Sequence, residues 1–272
     1  MAFFVNQAFC IFAPCLSSYT GIGTCGNLST TAIFPHVLLS PPPTQSHNTH
    51  PMSNIAAKQQ TKYYPPAEER LNIATHAAGF ILSTIALVML VIHAHLHGTL
   101  LHIVSFGTFG TSLMILYAAS TFYHISTDPA LRNKLRIVDH ASIYVLIAGT
   151  YTPFALITLS GPTGWIFFAA TWGMALIGIL LKLFFTGRYN LISTSMYIFM
   201  GWIIVFAIRP LLANLPQEGF LWLLTGGIAY TLGALLYSIR PLKFNHAIFH
   251  IFVLVGSFSH FVSVFYYVLP RR

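Results

Sequence analysis

Charge is what this sequence has least of. Asp, Glu, Lys and Arg together make up 7% of its 272 residues, where a soluble domain carries about 25%. So little charge cannot cover a water-facing surface, which excludes an ordinary soluble protein. Acidic residues are the scarcest, only Glu68, Glu69, Asp128, Asp139 and Glu218. Cysteine is missing from the body of the chain. Cys10, Cys15 and Cys25 all lie near the start, and an odd, clustered trio argues for neither a disulfide framework nor a cysteine metal site. Lys and Arg are absent from residues 1–51, which excludes an Arg-rich transit peptide and the basic n-region of a secretory signal. The long hydrophobic runs lack apolar–polar alternation, which argues against a β-barrel. The net charge of +8 does not point to nucleic acid, because the basic residues are scattered between apolar runs.

Hydrophobic residues are plentiful, at 56%. They gather in seven runs near the ~20 residues that a bilayer-spanning helix needs. The runs cover about Asn72–Ile92, Leu100–Tyr123, Ile137–Leu159 with Pro153 inside, Thr163–Phe185, Leu191–Leu212 with Pro210 near its end, Phe220–Ile239 and His246–Leu269. Short connections and frequent small residues inside the runs suit antiparallel neighbours packed in lipid. The expected fold is an all-α, seven-transmembrane helix bundle over residues 66–272. Residues 1–65 are expected to be an N-terminal extension, disordered up to about residue 65 or reflecting a start set too early, with Met52 as the alternative initiator.

Lys and Arg set the expected orientation. With seven crossings, Lys58, Lys62, Arg70, Arg132, Lys134, Arg136, Lys182, Arg188, Arg240 and Lys243 fall on the N-terminal side, and only Arg209, Arg271 and Arg272 on the other. The N-terminus is therefore expected in the cytoplasm and the C-terminus outside, in a multi-pass protein of the plasma (inner) membrane.

That topology brings polar residues from distant segments to one depth. His246 and His250 are four apart at the start of the seventh run, on one helix face. Ser120 and His124 share a face at the end of the second run. Asp139 opens the third, as the one acidic residue expected inside a membrane helix. Asn72, Thr75 and His76 open the first. Three imidazoles, His124, His246 and His250, can bind Zn²⁺ and leave a fourth position to water. Such a water has its pKa lowered to roughly 7. Asp139 is the candidate to move its proton, and Ser120 to hydrogen-bond the water or a substrate oxygen. Taken singly, His124 can also meet lipid headgroups, Asp139 can cap its helix or pair with Arg132 or Arg136, and Ser120 can bond its own backbone.

The other histidines rank lower. His93, His95, His97 and His102 read as a solvated loop. His76 can stand behind the ligands. His140 points about 100° away from Asp139 on an ideal helix. His260 lies ~15 Å from His250 by helical rise, too far to share its metal.

The stretch Glu68-Glu69-Arg70-Leu71-Asn72-Ile73-Ala74-Thr75-His76-Ala77-Ala78-Gly79, then Ser120-x-x-x-His124, Asp139-His140, Ala148-Gly149-Thr150-Tyr151-Thr152-Pro153 and His246-x-x-x-His250 with Gly256 and His260-Phe261 resemble haemolysin III family proteins over about residues 65–270. That family is related to the progestin and adiponectin receptors and more distantly to alkaline ceramidases. The resemblance implies a seven-helix bundle with an inner-side zinc on His124, His246 and His250, and Asp139 and Ser120 holding the zinc-bound water. It implies hydrolysis of a lipid amide, with membrane lipids as partners, or a pore-forming cytolysin. A third possibility is a receptor or regulator of membrane lipid homeostasis with structural zinc, for which Asp139 would bind the metal directly.

Overall fold

A computed structural model describes residues 61–185, 190–239 and 241–269. Among these residues the structure is helical, without strands. Helix α1 spans Pro66–His97, α2 Leu100–Ile125 and α3 Pro129–Pro153, followed by a π-helical turn over Phe154–Leu159. Helix α4 spans Gly161–Phe185 and α5 Asn190–Trp202. A 3₁₀ turn over Ile203–Ala207 links α5 to α6 (Ile208–Asn214), and these three segments form one span. Helix α7 is Gln217–Ser238, and α8 is Asn245–Ser263 with a π-helical end over Val264–Val268. Seven spans among the described residues are long and apolar enough to cross a membrane. Their outer faces carry exposed apolar side chains such as Ile81, Leu82, Leu96, Ile166, Leu176 and Phe206. Apolar exposure on this scale is a lipid-facing surface.

The third span is the most enclosed, with 78% of its apolar stretch buried against 22% for the fourth. It sits between α2 and α4, while α1 packs on α2 and α8, and α7 on α8. Gly79 permits the close approach of α1 to α2. A Cβ there would lie 2.5 Å from the Tyr117 ring, well inside van der Waals contact. Pro153 cannot donate its backbone hydrogen bond, and the helix widens to π geometry directly after it. In the fifth span the freed backbone groups find a side chain: Tyr151 donates its hydroxyl to the Gly201 carbonyl (2.8 Å) and accepts from the Ile204 N–H (3.2 Å). Such satisfaction is what permits a helix break at membrane depth.

Four expectations need correction. Helix α1 starts at Pro66 rather than near Asn72. Proline suits the first helical position, and acids in the first turn suit the helix dipole, so Glu68 and Glu69 lie inside the helix. Asp139 is therefore not the one acidic residue in a spanning helix. Residues 61–65, expected to be disordered, are tied down by Asn133 bonding Thr61 Oγ1 (2.9 Å), Arg132 bonding the Lys62 carbonyl (2.9 Å) and Tyr63 bonding the Thr127 carbonyl (3.1 Å). At the other end α1 runs on to His97, so His93 is not in a solvated loop. It is buried and its Nε2 lies 2.7 Å from the Leu269 carbonyl. The expectations for residues 1–60, including the three cysteines and Met52, fall outside the described residues.

Candidate metal centre

Three helix ends meet at one level of the bundle. The last turn of α2 carries His124, the first turns of α8 carry His246 and His250, and the first turns of α1 carry Glu68, Glu69, Asn72 and His76. Phe244 turns the chain into α8 through a left-handed conformation, φ 58°, which is uncommon for a bulky residue. Asn245 holds that turn by donating to the Tyr237 and Ile239 carbonyls. Glu68, buried, accepts the His246 N–H at 3.2 Å, so an acid meets the exposed donors at the start of α8.

His124, His246 and His250 are buried, and one ligand atom from each lies within 4.8 Å of the others. His124 Nε2 and His246 Nε2 face each other at 3.1 Å. Two imidazole nitrogens bound to one tetrahedral metal at ~2.0–2.1 Å stand about 3.3 Å apart, close to that separation. His124 Nδ1 lies 3.1 Å from Glu69 Oε2. The carboxylate fixes the ring proton on Nδ1 and turns the Nε2 lone pair inward, the usual support for a metal-binding histidine. His250 Nδ1 lies 3.3 Å from Thr75 Oγ1. His246 Nδ1, both nitrogens of His76 and both amide atoms of Asn72 are buried without a hydrogen-bond partner. Orphaned buried polar atoms are costly, and their concentration around three convergent imidazoles fits a site built for a bound ion and its solvent.

Arg132 holds the frame. It is 1% exposed, and its guanidinium donates to the Glu69 carboxylate and to the carbonyls of Tyr123 (3.2 Å), His124 (3.1 Å) and Ser126 (2.9 Å). It therefore satisfies the open carbonyls at the end of α2 and neutralises the carboxylate that orients His124. Arg132 thus pairs with Glu69 rather than with Asp139. His76 stacks on His250, with centroids 3.5 Å apart and 12° between planes, and meets the Tyr117 ring edge-on.

Ser120 and Asp139 line one cavity with His76, His140, His246 and His250. The cavity holds about 280 Å³ and is otherwise mostly apolar, running past Leu146, Phe154, Ile204 and Leu211 to His260. The Ser120 hydroxyl is buried near the Asp139 carboxylate and makes no hydrogen bond. Asp139 is not one of the three convergent ligands. His140, expected to face away, reaches the same cavity, with Nδ1 3.8 Å from Asp139 Oδ2 and 2.6 Å from the Arg136 carbonyl. His260 stays apart from the triad, its Nε2 3.1 Å from the Leu223 carbonyl.

Sequence reasoning alone gave Glu68, Glu69 and Tyr64 no role at the site, and offered Arg132 only as a partner for Asp139. The signal for the first two was present in Pro65-Pro66 followed by two acids, a helix-start pattern. Arg132 and Tyr64 carry no local signature.

Comparison with known proteins agrees with this frame. A family profile described as "Haemolysin-III related" matches residues 65–261. The chain is 50% identical over 203 residues to "Hemolysin-3" of Bacillus cereus, covering 75% of this chain and 93% of that protein. It is 46% identical over 200 residues to "Hemolysin-3 homolog" of Bacillus subtilis (strain 168), covering 74% and 94%. It is 26% identical over 167 residues to human "Monocyte to macrophage differentiation factor", covering 58% and 68%. The plasma membrane is the compartment consistent with the bacterial relatives. Seven apolar spans, the convergent histidines and these similarities together make the chain a multi-pass integral membrane protein that belongs to the haemolysin III family.

Proposed function

We propose that this protein is a zinc-dependent hydrolase of a lipid amide, with its site near the cytoplasmic face. The observation that carries the reading is one cavity that joins His246 and His250 to Asp139 and Ser120 and continues as an apolar chamber. Hydrolysis of an amide with a long chain needs both parts. His124, His246 and His250 would hold Zn²⁺, which when bound supplies Lewis acidity and lowers the pKa of a water to roughly 7. The apolar walls would bind the acyl chain. Asp139 would take a proton from the attacking water and return it to the leaving nitrogen, so that water and amide become a carboxylic acid and an amine. Ser120 would donate its hydroxyl to the water or to the carbonyl oxygen. Among the described residues three protein ligands converge, which favours an open site over a closed structural one. The Lys and Arg bias supports a cytoplasmic N-terminus, and with it a cytoplasmic entrance.

The test is release of fatty acid from N-acyl lipids, ceramides included, by purified protein in nanodiscs, followed by mass spectrometry. The reading expects release that stops on chelation, returns with Zn²⁺ and is lost in Asp139→Asn. Absence of release across the panel from a zinc-loaded protein would overturn it. The name of the Bacillus cereus relative favours cytolysis as a second reading. Conductance or erythrocyte lysis that persists in metal-free protein would support that alternative.

A further inference from the structure

The three convergent histidines are not held alike. His124 is oriented through Nδ1 by Glu69, and His250 through Nδ1 by Thr75. His246 Nδ1 has no hydrogen-bond partner. What holds its ring is a face: Tyr64 lies parallel to it, with centroids 4.5 Å apart and 9° between planes. The same ring lies 5.7 Å from His124, and the Lys62 ammonium sits 4.5 Å from the Tyr64 centroid.

Tyr64 is itself held. Thr61 is bonded by Asn133 and the Lys62 carbonyl by Arg132. The Tyr63 hydroxyl bonds the Thr127 carbonyl, and its ring lies 4.5 Å from the Arg132 guanidinium. The strap 61–65 thus hangs from the start of α3, and the arginine that anchors it also neutralises Glu69. Burial pushes the Tyr64 phenol well above its ordinary value, so the ring stays neutral.

We propose that Tyr64 is a positioning residue of the metal centre, its ring fixing His246 where a hydrogen bond fixes the other two ligands. The strap 61–65 is then part of the site. This inference rests on the reading of His124, His246 and His250 as metal ligands. Groups that orient a metal ligand are worth about 10–100-fold in metal affinity, and a stacked face without a hydrogen bond belongs at the lower end.

The experiment measures Zn²⁺ affinity of the full chain by competition with a coloured chelator, together with the visible spectrum of the Co²⁺ form. The variants are Tyr64→Phe, Tyr64→Leu and Tyr64→Ala. Phe keeps the face and removes the hydroxyl, while Leu fills the space without a planar face and guards against a folding defect in Ala. The expected result is wild-type affinity and spectrum for Phe, with about tenfold weaker binding and an altered Co²⁺ spectrum for Leu and Ala at unchanged stoichiometry. Wild-type affinity in Leu or Ala would overturn the proposal, as would a loss in Phe equal to that in Ala. Wild-type protein that binds no metal would instead overturn the metal-centre reading on which it rests.

Discussion

Replacing Glu69 by alanine tests how the site is supported without touching a ligand. The Glu69 carboxylate accepts from His124 Nδ1 at 3.1 Å and pairs with the Arg132 guanidinium. Its removal has two separable costs. The first falls on the metal: His124 loses the group that fixes its proton on Nδ1. Loss of such a partner weakens metal binding about 10–100-fold, or ~1.4–2.7 kcal/mol. The second falls on the fold without metal. The Arg132 side chain is 2% exposed, so alanine leaves a buried cation without its counter-charge. Breaking a buried pair costs ~3–5 kcal/mol. The lower end applies, because Glu69 is itself 16% exposed and Arg132 keeps its bonds to carbonyls. Glu69→Gln keeps the volume and one acceptor, so it should show the smaller loss in both. Chelator competition measures the first cost, and thermal unfolding of metal-free protein, followed by tryptophan fluorescence, measures the second. Alanine-variant affinity within about twofold of wild type would refute the carboxylate's role in orienting His124.

Other outcomes follow from the same geometry. Asp139→Asn should keep metal stoichiometry and lower hydrolysis about 10²–10⁴-fold, the usual weight of a proton-transfer group, read by metal analysis beside fatty-acid release. His76→Phe keeps an aromatic ring on His250 and removes two buried nitrogens without partners. Thermal unfolding of the metal-free protein should show stability unchanged or raised by up to ~1–3 kcal/mol. Gly79→Ala drives a Cβ into the Tyr117 ring and should cost ~1–3 kcal/mol of stability, measured in the same way. Tyr151→Phe strips the partner from the Gly201 carbonyl and the Ile204 N–H. It should cost ~0.6–1.7 kcal/mol, the range for hydrogen bonds inside membrane proteins, again by thermal unfolding.

Much of the fold was legible in the sequence because lipid reads the same property that hydropathy measures. Each spanning helix turns apolar side chains outward, so a run such as Leu100–Tyr123 announces itself without knowledge of its neighbours. His124, His246 and His250 were legible for a related reason: ionisable groups are costly in a membrane and stand out against an apolar background. The structure brings them together, and Ser120 and Asp139 line one cavity with the last two. Glu68 and Glu69 were hidden by the same logic. Charge next to two prolines lowers local hydropathy, so the first apolar run was read as starting near Asn72, although Pro66 at the first helical position and the acids of the first turn favour helix. Arg132 sits among basic residues in the first turn of α3, and its bonds to Glu69 and to the end of α2 depend on tertiary packing. The break at Ile203–Ala207 falls in an uninterrupted apolar run, and what permits it is Tyr151, about fifty positions away. His93 depended on α1 continuing to His97, which places the ring against the Leu269 carbonyl.

The metal centre is the claim from which the rest follows, and elemental analysis of protein purified without chelators tests it most directly. The account predicts one zinc per wild-type chain, and loss of that zinc in His124→Ala and His250→Ala while far-ultraviolet circular dichroism stays helical. Wild-type protein free of metal, or either alanine variant retaining a full equivalent, would contradict it.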